Sequence, residues 1–374
     1  MALAIYRKYR PATFDDVIGQ ETTVRILREA ARRDTLAHAY LFAGPRGTGK
    51  TTTARLVAKI ANCERRGTDA AFRATGEPCN ACRLCREIDE GRSLDVVEID
   101  AASNRGIDEI RNLKENVRLA PIAARAKVFI IDEAHQLTPP AWNALLKTLE
   151  EPPASVYFVL ATTEADRIPA TIVSRTQQCY FRYIGLEALT SKLSRIAERE
   201  GIVIEHEALD LIAAAAEGSF RDAESLLDQL ATGGTPLTVR DVEAAIGKVG
   251  FETLARFIDR LVARDLPAAL QDLAAIQDGG FNLAQFTKDI IIYLRRMLVI
   301  KHAPALATVL ARELVPEHLA RIAAHAAHRG SAPTVLLRAL IVAYGQMRYS
   351  QFPLVILEVA LVESLSSPLT ASSS

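Results

Sequence analysis

Residues 44–51 read Gly-Pro-Arg-Gly-Thr-Gly-Lys-Thr and match the phosphate-loop pattern GxxxxGK[ST] at every defined position. An apolar run, 39–43, comes directly before this stretch, and a run of helix-compatible composition, 52–61, follows it. Strand, glycine-rich turn and helix in this order is the context in which the pattern cradles phosphate. A chance match occurs in roughly one chain in a hundred of this length. The chain is therefore predicted to bind a nucleoside triphosphate.

The residues of this loop have separate expected tasks. Gly44, Gly47 and Gly49 let backbone N–H groups close on phosphate oxygens, because glycine has no Cβ to clash. Lys50 is predicted to place its ammonium on the β and γ phosphates of ATP, and the Thr51 hydroxyl to coordinate Mg²⁺. The other candidate nucleotide contacts in and after the loop are Pro45, Arg46, Thr48 and Thr52.

A second motif supplies two acids. The apolar run 128–131 ends in Asp132 and Glu133, followed by Ala134 and His135. In a phosphate-loop fold such a strand lies near the loop, so we expect Asp132 to hold the Mg²⁺ shell and Glu133 to act as general base toward the attacking water. A surface turn with two adjacent carboxylates is the alternative, and the phosphate loop upstream makes it the minor one.

Composition excludes several classes of protein. The 374 residues are enough for two or three domains, and Lys+Arg and Asp+Glu balance at 45 each, so any nucleic-acid contact must come from a local basic surface. The longest apolar run, 353–362, is far shorter than the ~20 residues of a membrane span, and the N-terminus lacks the apolar region of a signal peptide. Five cysteines, four of them clustered, indicate a reducing compartment. We expect a cytoplasmic protein with no membrane partner.

The hydrophobic pattern changes once along the chain. Up to about residue 182, five apolar runs predict strands of a parallel sheet buried on both faces, at 39–43, 95–99, 128–131, 156–161 and 178–181. A helix with Thr138 as N-cap precedes Pro152. Beyond 182 only helical patterns follow, at 187–200, 206–217, 221–231, 238–246, 251–264, 267–277, 282–302, 316–328 and 333–364. The tail 366–374 is linker-like.

From these motifs onward the sequence resembles one family, the gamma/tau subunits of bacterial DNA polymerase III, the ATPases of the sliding-clamp loader. The resemblance runs in register from residue 5 to about 230. It is carried by 6–11 (Tyr-Arg-Lys-Tyr-Arg-Pro), 14–20, 44–51, the cysteine cluster, 132–135, 143–153, 160–163, 174–175 and 218–222. It implies an α/β P-loop AAA+ domain with a parallel sheet flanked by helices (1–182, with a zinc-binding insertion at 63–85), a small helical lid domain (183–247) and an all-α collar domain (248–365).

The resemblance also implies roles for single residues. Thr162 or Thr163 would sense the γ-phosphate or the lytic water, and a strand-end threonine is the plain alternative. Arg175 would reach a neighbouring subunit's nucleotide in trans as an arginine finger, although Thr176 stands where the family has cysteine. Arg221 opens a helix, where a cation opposes the helix dipole by roughly 0.3–1 kcal/mol, so a bound γ-phosphate would compensate it; a solvated arginine is the alternative. Contacts to the rest of the nucleotide would come from Tyr9, Arg10, Pro11, Val17 and Ile18.

Four cysteines have metal-ligand spacing. Cys63, Cys79, Cys82 and Cys85 read C-x₁₅-C-x₂-C-x₂-C around a polar segment, 64–78, that has little apolar surface to fold around. A structural Zn²⁺ with all four positions filled would order it; an iron–sulfur cluster uses the same ligands and is left open. The family has a shorter first spacing. Cys179, in an apolar strand, is predicted to be a buried small hydrophobe.

Two further patterns are weaker. Residues 103–106 precede a helix, 107–117, with one basic face, and Arg105 is the candidate DNA contact; a solvated face is the usual explanation of such a stripe. Any DNA binding would be independent of sequence and strongly salt-sensitive. His318, His325 and His328 have helical spacing without a completing acid or cysteine, so we expect helix-surface histidines and no metal site.

The sequence thus predicts the ATP-driven motor of a clamp loader, which opens the clamp and loads it onto primed DNA. Its implied partners are delta and delta-prime type subunits, further copies of itself, the sliding clamp and primed template DNA. The rival is a translocating AAA+ motor such as a branch-migration helicase, but no Gly-flanked aromatic loop separates the two ATP motifs. A scaffold without turnover is the other alternative, and the intact Lys50, Asp132 and Glu133 oppose it. No second acid constellation could support polymerase chemistry, so a polymerase classification would belong to the holoenzyme.

Overall fold

Five parallel strands form the sheet of the first part of the chain. They are β1 (Ala39–Ala43), β2 (Val96–Asp100), β3 (Lys127–Asp132), β4 (Val156–Thr162) and β5 (Gln177–Tyr180), in the order β2-β3-β4-β1-β5. All four pairings are parallel, with Ala43 beside Thr162 and Asp100 beside Asp132. The carboxyl ends of β1, β3 and β4, where the predicted site residues lie, therefore meet at one edge. The five predicted strands are confirmed.

The sheet is covered on both faces, as its apolar strands require. Alternation places Tyr40 and Phe42 of β1 in one core cluster and Leu41 in the other, because successive strand side chains point to opposite faces. The first cluster also contains Phe14 and Leu56, and the second is built around aromatic and leucine side chains that include Phe129, Phe158, Trp142 and Leu145.

The structure, a computed structural model, describes residues 4–103, 113, 115–233, 236–247, 249–306, 316–327, 333–347 and 350–366. The chain separates into two compact units, Met1–Thr238 and Val239–Ser374. Helices of the first unit are α1 (Ile5–Lys8), α2 (Glu21–Arg32), α3 (Lys50–Asn62), α4 (Glu64–Thr68), α5 (Ala70–Arg73), α6 (Arg83–Asp89), α7 (Pro139–Glu150), α8 (Ala170–Val173), α9 (Leu186–Glu200), α10 (His206–Ala215) and α11 (Phe220–Ala231). Two short 3-10 helices, Ala134–Gln136 and Ala165–Arg167, follow β3 and β4.

The described part of the second unit is helical around one apolar core. Its helices are α12 (Val239–Ile246), α13 (Phe251–Ala263), α14 (Leu266–Asp278), α15 (Leu283–His302), α16 (Pro316–Ala327), α17 (Pro333–Met347) and α18 (Pro353–Ser366), with a 3-10 turn at Pro304–Leu306. The prediction of one helix over 333–364 was wrong. Residues 350–352 are not helical, and Pro353 begins a new helix because proline cannot donate the backbone hydrogen bond of a helix interior.

One histidine of the second unit also differs from expectation. His325 is buried, with Nδ1 2.8 Å from the Tyr293 hydroxyl and Nε2 2.8 Å from an oxygen of Asp259, so the surface prediction was wrong for it. An acid does stand beside this histidine, although the described residues bring no third ligand to it. His318 stacks on Phe251 with ring centroids 3.6 Å apart. His328 lies outside the described residues.

The fold class predicted from the sequence, an α/β sheet domain followed by helices, is confirmed. Within the first unit the last strand ends at Tyr180 and the next helix begins at Leu186. The domain boundaries near 182 and 247 stay predictions. None of the described helices combines the length and apolar character that a bilayer span requires.

Candidate nucleotide site and cysteine cluster

The phosphate loop joins β1 to the first turn of α3. Gly44 donates its N–H to the Thr162 carbonyl at 3.1 Å, which ties the loop to β4. Gly49, with φ of 101°, is the N-cap of α3, so Lys50 and Thr51 occupy the first helical turn. The free N–H groups of a helix start, together with the positive end of its dipole, make this an anion-binding position. Of the other loop residues, Thr48 is buried and donates to the Pro45 carbonyl at 2.8 Å, Thr52 is half-buried, and Arg46 is exposed.

Lys50 is enclosed by the loop. Its ammonium donates to the carbonyl oxygens of Gly44 and Pro45, at 2.7 Å each. Burial lowers the pKa of Lys50, while the carboxylates of Glu133 and Asp132 act in the opposite direction. The Lys50 ammonium therefore lies against the phosphate loop, near two carboxylates. This is the geometry expected for a phosphate-binding lysine.

The two sequence motifs meet in the structure. The Thr51 hydroxyl donates to one carboxylate oxygen of Asp132 at 2.7 Å, across 81 residues of sequence. The other carboxylate oxygen accepts the N–H of Glu133 at 2.9 Å. A hydroxyl and a carboxylate side by side are the hard oxygen ligands that Mg²⁺ takes beside a bound phosphate. The residues present thus fit a Mg²⁺–nucleotide site.

The direction of the Glu133 side chain is set by its backbone conformation and by a hydrogen bond from Thr163. Its φ of 47° lies in the left-handed region, which is uncommon for a residue with a side chain. The Thr163 hydroxyl donates to its carboxylate at 2.9 Å. Strained backbone of this kind is frequent where a functional side chain must be held in one direction. The direction of the Glu133 carboxylate, next to the predicted Mg²⁺ ligand Asp132, is thus fixed by its backbone and by Thr163.

His135 connects the acidic motif to the end of β4. Its Nδ1 lies 3.0 Å from the Thr162 hydroxyl and 3.5 Å from the Glu133 carboxylate, and its Nε2 lies 3.1 Å from Glu164. Only 3% of its side-chain surface is exposed. The motif 132–135 contains His135, but no task for it was predicted from the sequence; the signal in the sequence was a histidine two residues beyond Glu133.

The start of α11 packs on the phosphate loop. The N–H of Phe220 donates to the Gly47 carbonyl at 3.0 Å, and a Cβ added at Gly47 would lie 1.9 Å from the Ser219 hydroxyl oxygen. Ser219 is the N-cap of α11 and accepts the N–H of Asp222. Arg221 follows in the first turn, exposed, with its guanidinium carbon 5.4 Å from the Tyr6 ring centroid. Arg221 thus lies beside the loop, and its contact with the γ-phosphate stays a prediction.

Gln20 is a site residue that the sequence analysis missed. It is buried, and its amide nitrogen donates to the carbonyls of Arg182 at 2.9 Å and Thr48 at 3.4 Å, while its amide oxygen accepts the Arg182 N–H at 3.0 Å. It therefore joins the segment before α2 to the loop and to the chain after β5. Val17 and Ile18, the candidate base contacts, are half-buried directly before it.

The remaining N-terminal candidates lie upstream of that segment. Tyr9 donates its hydroxyl to Glu200 of α9 at 2.5 Å. Arg10 and Pro11 are half-buried, and burial lowers the pKa of Arg10. Tyr9, through Glu200, and Tyr6, beside Arg221, thus join the chain start to the helices that follow the sheet.

Arg175 stands apart from the loop. It donates to Glu150 of α7 at 2.5 Å and to the Thr171 carbonyl at 2.7 Å, and the described residues of the phosphate loop are not among its contacts. Its side chain is one-third exposed. The action of Arg175 in trans stays a prediction. Arg105 lies outside the described residues.

The four clustered cysteines converge. The sulfur atoms of Cys63, Cys79, Cys82 and Cys85 all lie within 4.8 Å of one another, close to the about 3.8 Å separation of thiolates around a tetrahedral Zn²⁺. Backbone N–H groups of Cys79 and Cys82 point at the sulfurs of Cys63 and Cys79 at 3.4 and 3.3 Å. The Cys85 thiol donates to Cys63 and, with nearby N–H groups, lowers the pKa of Cys63 to about 4. A thiolate in a closed set of four sulfurs fits a structural metal site.

Comparison with known proteins decides the family. A model of the DNA polymerase III delta subunit matches residues 19–184, and a model of the ATPase lid domain of the DNA polymerase III clamp loader subunit matches 188–235. The chain is 40% identical over 361 residues to DNA polymerase III subunit tau of Bacillus subtilis, which covers 96% of this chain and 62% of that protein. The chain belongs to the DNA polymerase III gamma/tau family. The resemblance stated from the motifs is confirmed.

Other members and solved structures complete the comparison. Subunit tau of Escherichia coli is 39% identical over 300 residues, 80% of this chain and 46% of that protein. Among solved structures, the Thermotoga maritima branch migration motor RuvB is similar with a TM-score of 0.46 at 20% identity, over 68% of this chain and 79% of that one. The Bacillus subtilis clamp loader delta protein has a TM-score of 0.37 at 13% identity, over 92% and 99%. This gamma/tau chain spans about three fifths of the length of the first curated relative.

Proposed function

We propose that the chain is the motor subunit of the DNA polymerase III clamp loader, binding and hydrolysing ATP to open the sliding clamp and load it onto primed DNA. The observation that carries this proposal is the 2.7 Å hydrogen bond between Thr51 and Asp132, because it unites the phosphate loop and the acidic motif in one site. Membership in the gamma/tau family supports the proposal that ATP hydrolysis is used for clamp loading.

Each residue at the loop has a role in this proposal. Lys50 would neutralise the β and γ phosphates, and Thr51 and Asp132 would hold the Mg²⁺ that neutralises them further. Glu133 would accept the proton of the attacking water, with Thr163 and His135 fixing its direction. Thr162 would report the γ-phosphate to this group through the same histidine.

Two arginines would complete the site. Arg221 carries a positive charge into the first turn of α11, where the helix dipole disfavours it, so an anion at the loop would offset a cost of roughly 0.3–1 kcal/mol. Arg175 would act on the nucleotide of a neighbouring subunit, where an arginine finger is worth about 10³–10⁵ in rate. A lone chain would then hydrolyse ATP slowly and need other subunits.

The proposed partners are delta and delta-prime type subunits, further copies of this chain, the ring clamp and primed DNA, the last bound without sequence preference through Arg105. Supporting assembly, three valines are exposed at helical spacing on α18, Val355 (51%), Val359 (48%) and Val362 (40%), and Phe352 (68%) is exposed just before this helix. A DNA-directed DNA polymerase (nucleotidyltransferase) classification would follow from the holoenzyme and not from chemistry in this chain.

The cysteine cluster is proposed to hold Zn²⁺ as a structural ion. Four converging thiols leave no ligand position for water, so the site would order the insertion and take no part in hydrolysis. Metal analysis of the purified chain checks this. One zinc per chain and a colourless solution support zinc, whereas iron and visible absorbance would establish an iron–sulfur cluster.

The test of the function is steady-state ATPase of the chain alone and mixed with delta-type subunits, with clamp and primed DNA added stepwise. Arg175→Ala should abolish the stimulated rate and leave ATP binding intact. Glu150→Ala is the matched control, because it breaks the same ion pair and leaves the guanidinium in place. If Glu150→Ala loses as much activity as Arg175→Ala, the arginine has only a structural role.

The rival function gives a different pattern. A translocating motor would be stimulated in the lone chain by any DNA, with or without clamp and primer junctions, and would not respond to the delta-type subunits. That outcome would overturn the clamp-loader proposal. Absence of ATP binding by the wild-type chain would overturn both and favour a scaffold.

A further inference from the structure

The cysteine module, defined here as residues 63–85, is fastened to the part of the chain that precedes α2. Glu77, two residues before the second cysteine, accepts the N–H of Phe14 at 2.8 Å. Its other oxygen pairs with Arg28 of α2 at 2.9 Å, and Arg28 also donates to Asp15 at 2.5 Å. The side chain of Glu77 is 15% exposed, so this contact lies largely out of water.

Two further contacts hold the module against α2. Arg66 is 1% exposed and donates to the Ala31 carbonyl at 2.6 Å. Gly76 lies so close to α2 that an added Cβ would be 2.7 Å from Cγ and 2.9 Å from the carbonyl oxygen of Arg28. The module therefore contacts α2 at Arg28 and at Ala31, which are about one helical turn apart, and not at one point.

The same module holds the helix that begins at the phosphate loop. Cys63 ends α3, with its N–H donating to the Lys59 carbonyl at 2.7 Å. Lys59, 1% exposed, donates to Asn80 at 3.0 Å and pairs with Asp89. The module thus spans the two elements that frame the nucleotide site, α2 with its preceding segment and α3.

The segment Phe14–Gln20, called here the base-side segment, is fixed at two points. At its start the Phe14 ring is 1% exposed in the sheet core and its N–H binds Glu77. At its end Gln20 binds the loop carbonyl of Thr48 and the chain at Arg182. Val17 and Ile18, the candidate base contacts, lie between the two points. Displacing Phe14 at its contact with Glu77 would shift Val17 and Ile18 relative to the phosphate loop.

The stretch 64–78 of the module has little apolar core. Within 64–78 the buried residues are Arg66, Gly76 and Pro78, and none of them is a large apolar side chain. Its order must come from the cysteines at its two ends and from its contacts with α2, because apolar burial cannot supply it. The position of Glu77 therefore depends on the state of the cysteine cluster.

We propose that the cysteine module is a brace for the nucleotide's base: through Glu77 it sets the position of the base-side segment, so that an intact metal cluster raises nucleotide affinity without changing the hydrolytic step. This rests on the proposed nucleotide site. Glu77 is a positioning residue in this scheme, since it acts through Phe14 and does not touch the loop.

The first experiment compares three variants of the full chain by titration with a fluorescent ATP analogue, alongside kcat and KM with the partner subunits. Glu77→Ala removes both contacts, whereas Glu77→Gln keeps an oxygen for the Phe14 N–H. Glu90→Ala, at an exposed position after α6, is the control. We expect about tenfold weaker binding and a raised KM for Glu77→Ala with kcat within twofold, a smaller loss for Glu77→Gln, and no change for the control.

The second experiment starts from the wild-type chain and repeats the measurement in Glu77→Ala. Coupling between the equilibrium affinities of two sites is reciprocal, so ATP should raise the zinc affinity, seen as less zinc released to a competing chelator at equilibrium. Removal of zinc should weaken ATP affinity by the same factor. In Glu77→Ala the coupling between zinc binding and ATP binding should disappear, because the hydrogen bond from Phe14 to Glu77 is lost. Zinc content near one per chain in each variant shows that the module itself remains folded.

The outcomes separate the two proposals. A wild-type chain that binds no ATP overturns the proposed function itself. A wild-type chain that binds ATP, with unchanged affinity in Glu77→Ala and zinc release indifferent to ATP, overturns the brace alone. A loss of kcat without a change in affinity also contradicts it, since the brace acts on binding.

Discussion

The carboxylate of Glu133 is directed by unusual means. Its backbone conformation, with φ of 47°, costs of order 1–3 kcal/mol in residues other than glycine. The hydrogen bond from Thr163 and the neighbouring His135 ring are the contacts that hold the side chain there. A group fixed at this cost next to the proposed Mg²⁺ ligand has the position of a general base.

Glu133→Gln tests that role. The amide keeps an oxygen for the Thr163 hydroxyl and loses the capacity to accept a proton, so hydrolysis should fall about 10²–10³-fold while ATP affinity stays within about threefold. Steady-state ATPase and a binding titration measure the two effects. Glu151→Gln, exposed just after α7, is the control. If Glu133→Gln lowers the rate of ATP hydrolysis by less than fivefold, the general base is another residue.

Cysteine reactivity distinguishes two environments. Burial in β5 raises the pKa of Cys179 to about 12, so its thiol stays protonated and inert at pH 8. The four clustered thiols should be protected while metal is bound and react with a disulfide reagent once it is removed. We expect four reactive thiols after chelation and the fifth only in denaturant. The variant Cys179→Ala should show four under both conditions; five in the native chelated chain would contradict the burial argument.

At the scale of elements, the phosphate loop and the start of α11 form one contact at Gly47. A methyl group there would lie 1.9 Å from the Ser219 hydroxyl oxygen and would also sit on backbone with φ of 72°. Gly201 has nearly the same backbone, φ of 68°, with nothing within 4 Å of an added Cβ. The pair therefore separates a clash from backbone strain.

Gly47→Ala should weaken ATP binding by more than about tenfold, because α11 must move away from the loop and take Arg221 with it. Gly201→Ala should cost about 1 kcal/mol of stability, from the left-handed conformation alone, and leave binding unchanged. Binding titrations and thermal melts compare the two. Equal binding by Gly47→Ala and wild type would show that the loop does not need this contact.

The elements themselves were largely predictable, because buried strands of a parallel sheet are runs of apolar residues. The observed strand Ala39–Ala43 matches its predicted bounds, and the others shift by one residue or so. The partners of Gln20 could not be predicted, since Arg182 is 162 residues away in sequence. The burial of His325 depends likewise on Tyr293 and Asp259, in other helices. The helix break before Pro353 could have been predicted from the proline. It was missed because apolar residues continue at helical spacing on both sides of it.

At the scale of the whole molecule, the positive and negative charges of the sequence balance. Lys+Arg and Asp+Glu are equal, so the long-range field is weak. The exposed valines of α18, Val355, Val359 and Val362, with Phe352 just before the helix, form an apolar patch of the kind that favours a partner surface. An arginine finger acting in trans requires such a surface, because Arg175 can reach another subunit's nucleotide only inside an assembly.

The double substitution Val355→Glu with Val359→Glu should therefore prevent assembly, because burying two carboxylates in an apolar contact is strongly unfavourable. Light scattering after size exclusion should show the lone chain in place of the complex with delta-type subunits. ATP binding should stay at the wild-type level, while stimulated hydrolysis should fall as far as in Arg175→Ala. Arg256→Glu, an exposed charge reversal on α13, is the control. An assembly that forms normally with both glutamates present would place the interface elsewhere and leave the finger to reach its neighbour by another surface.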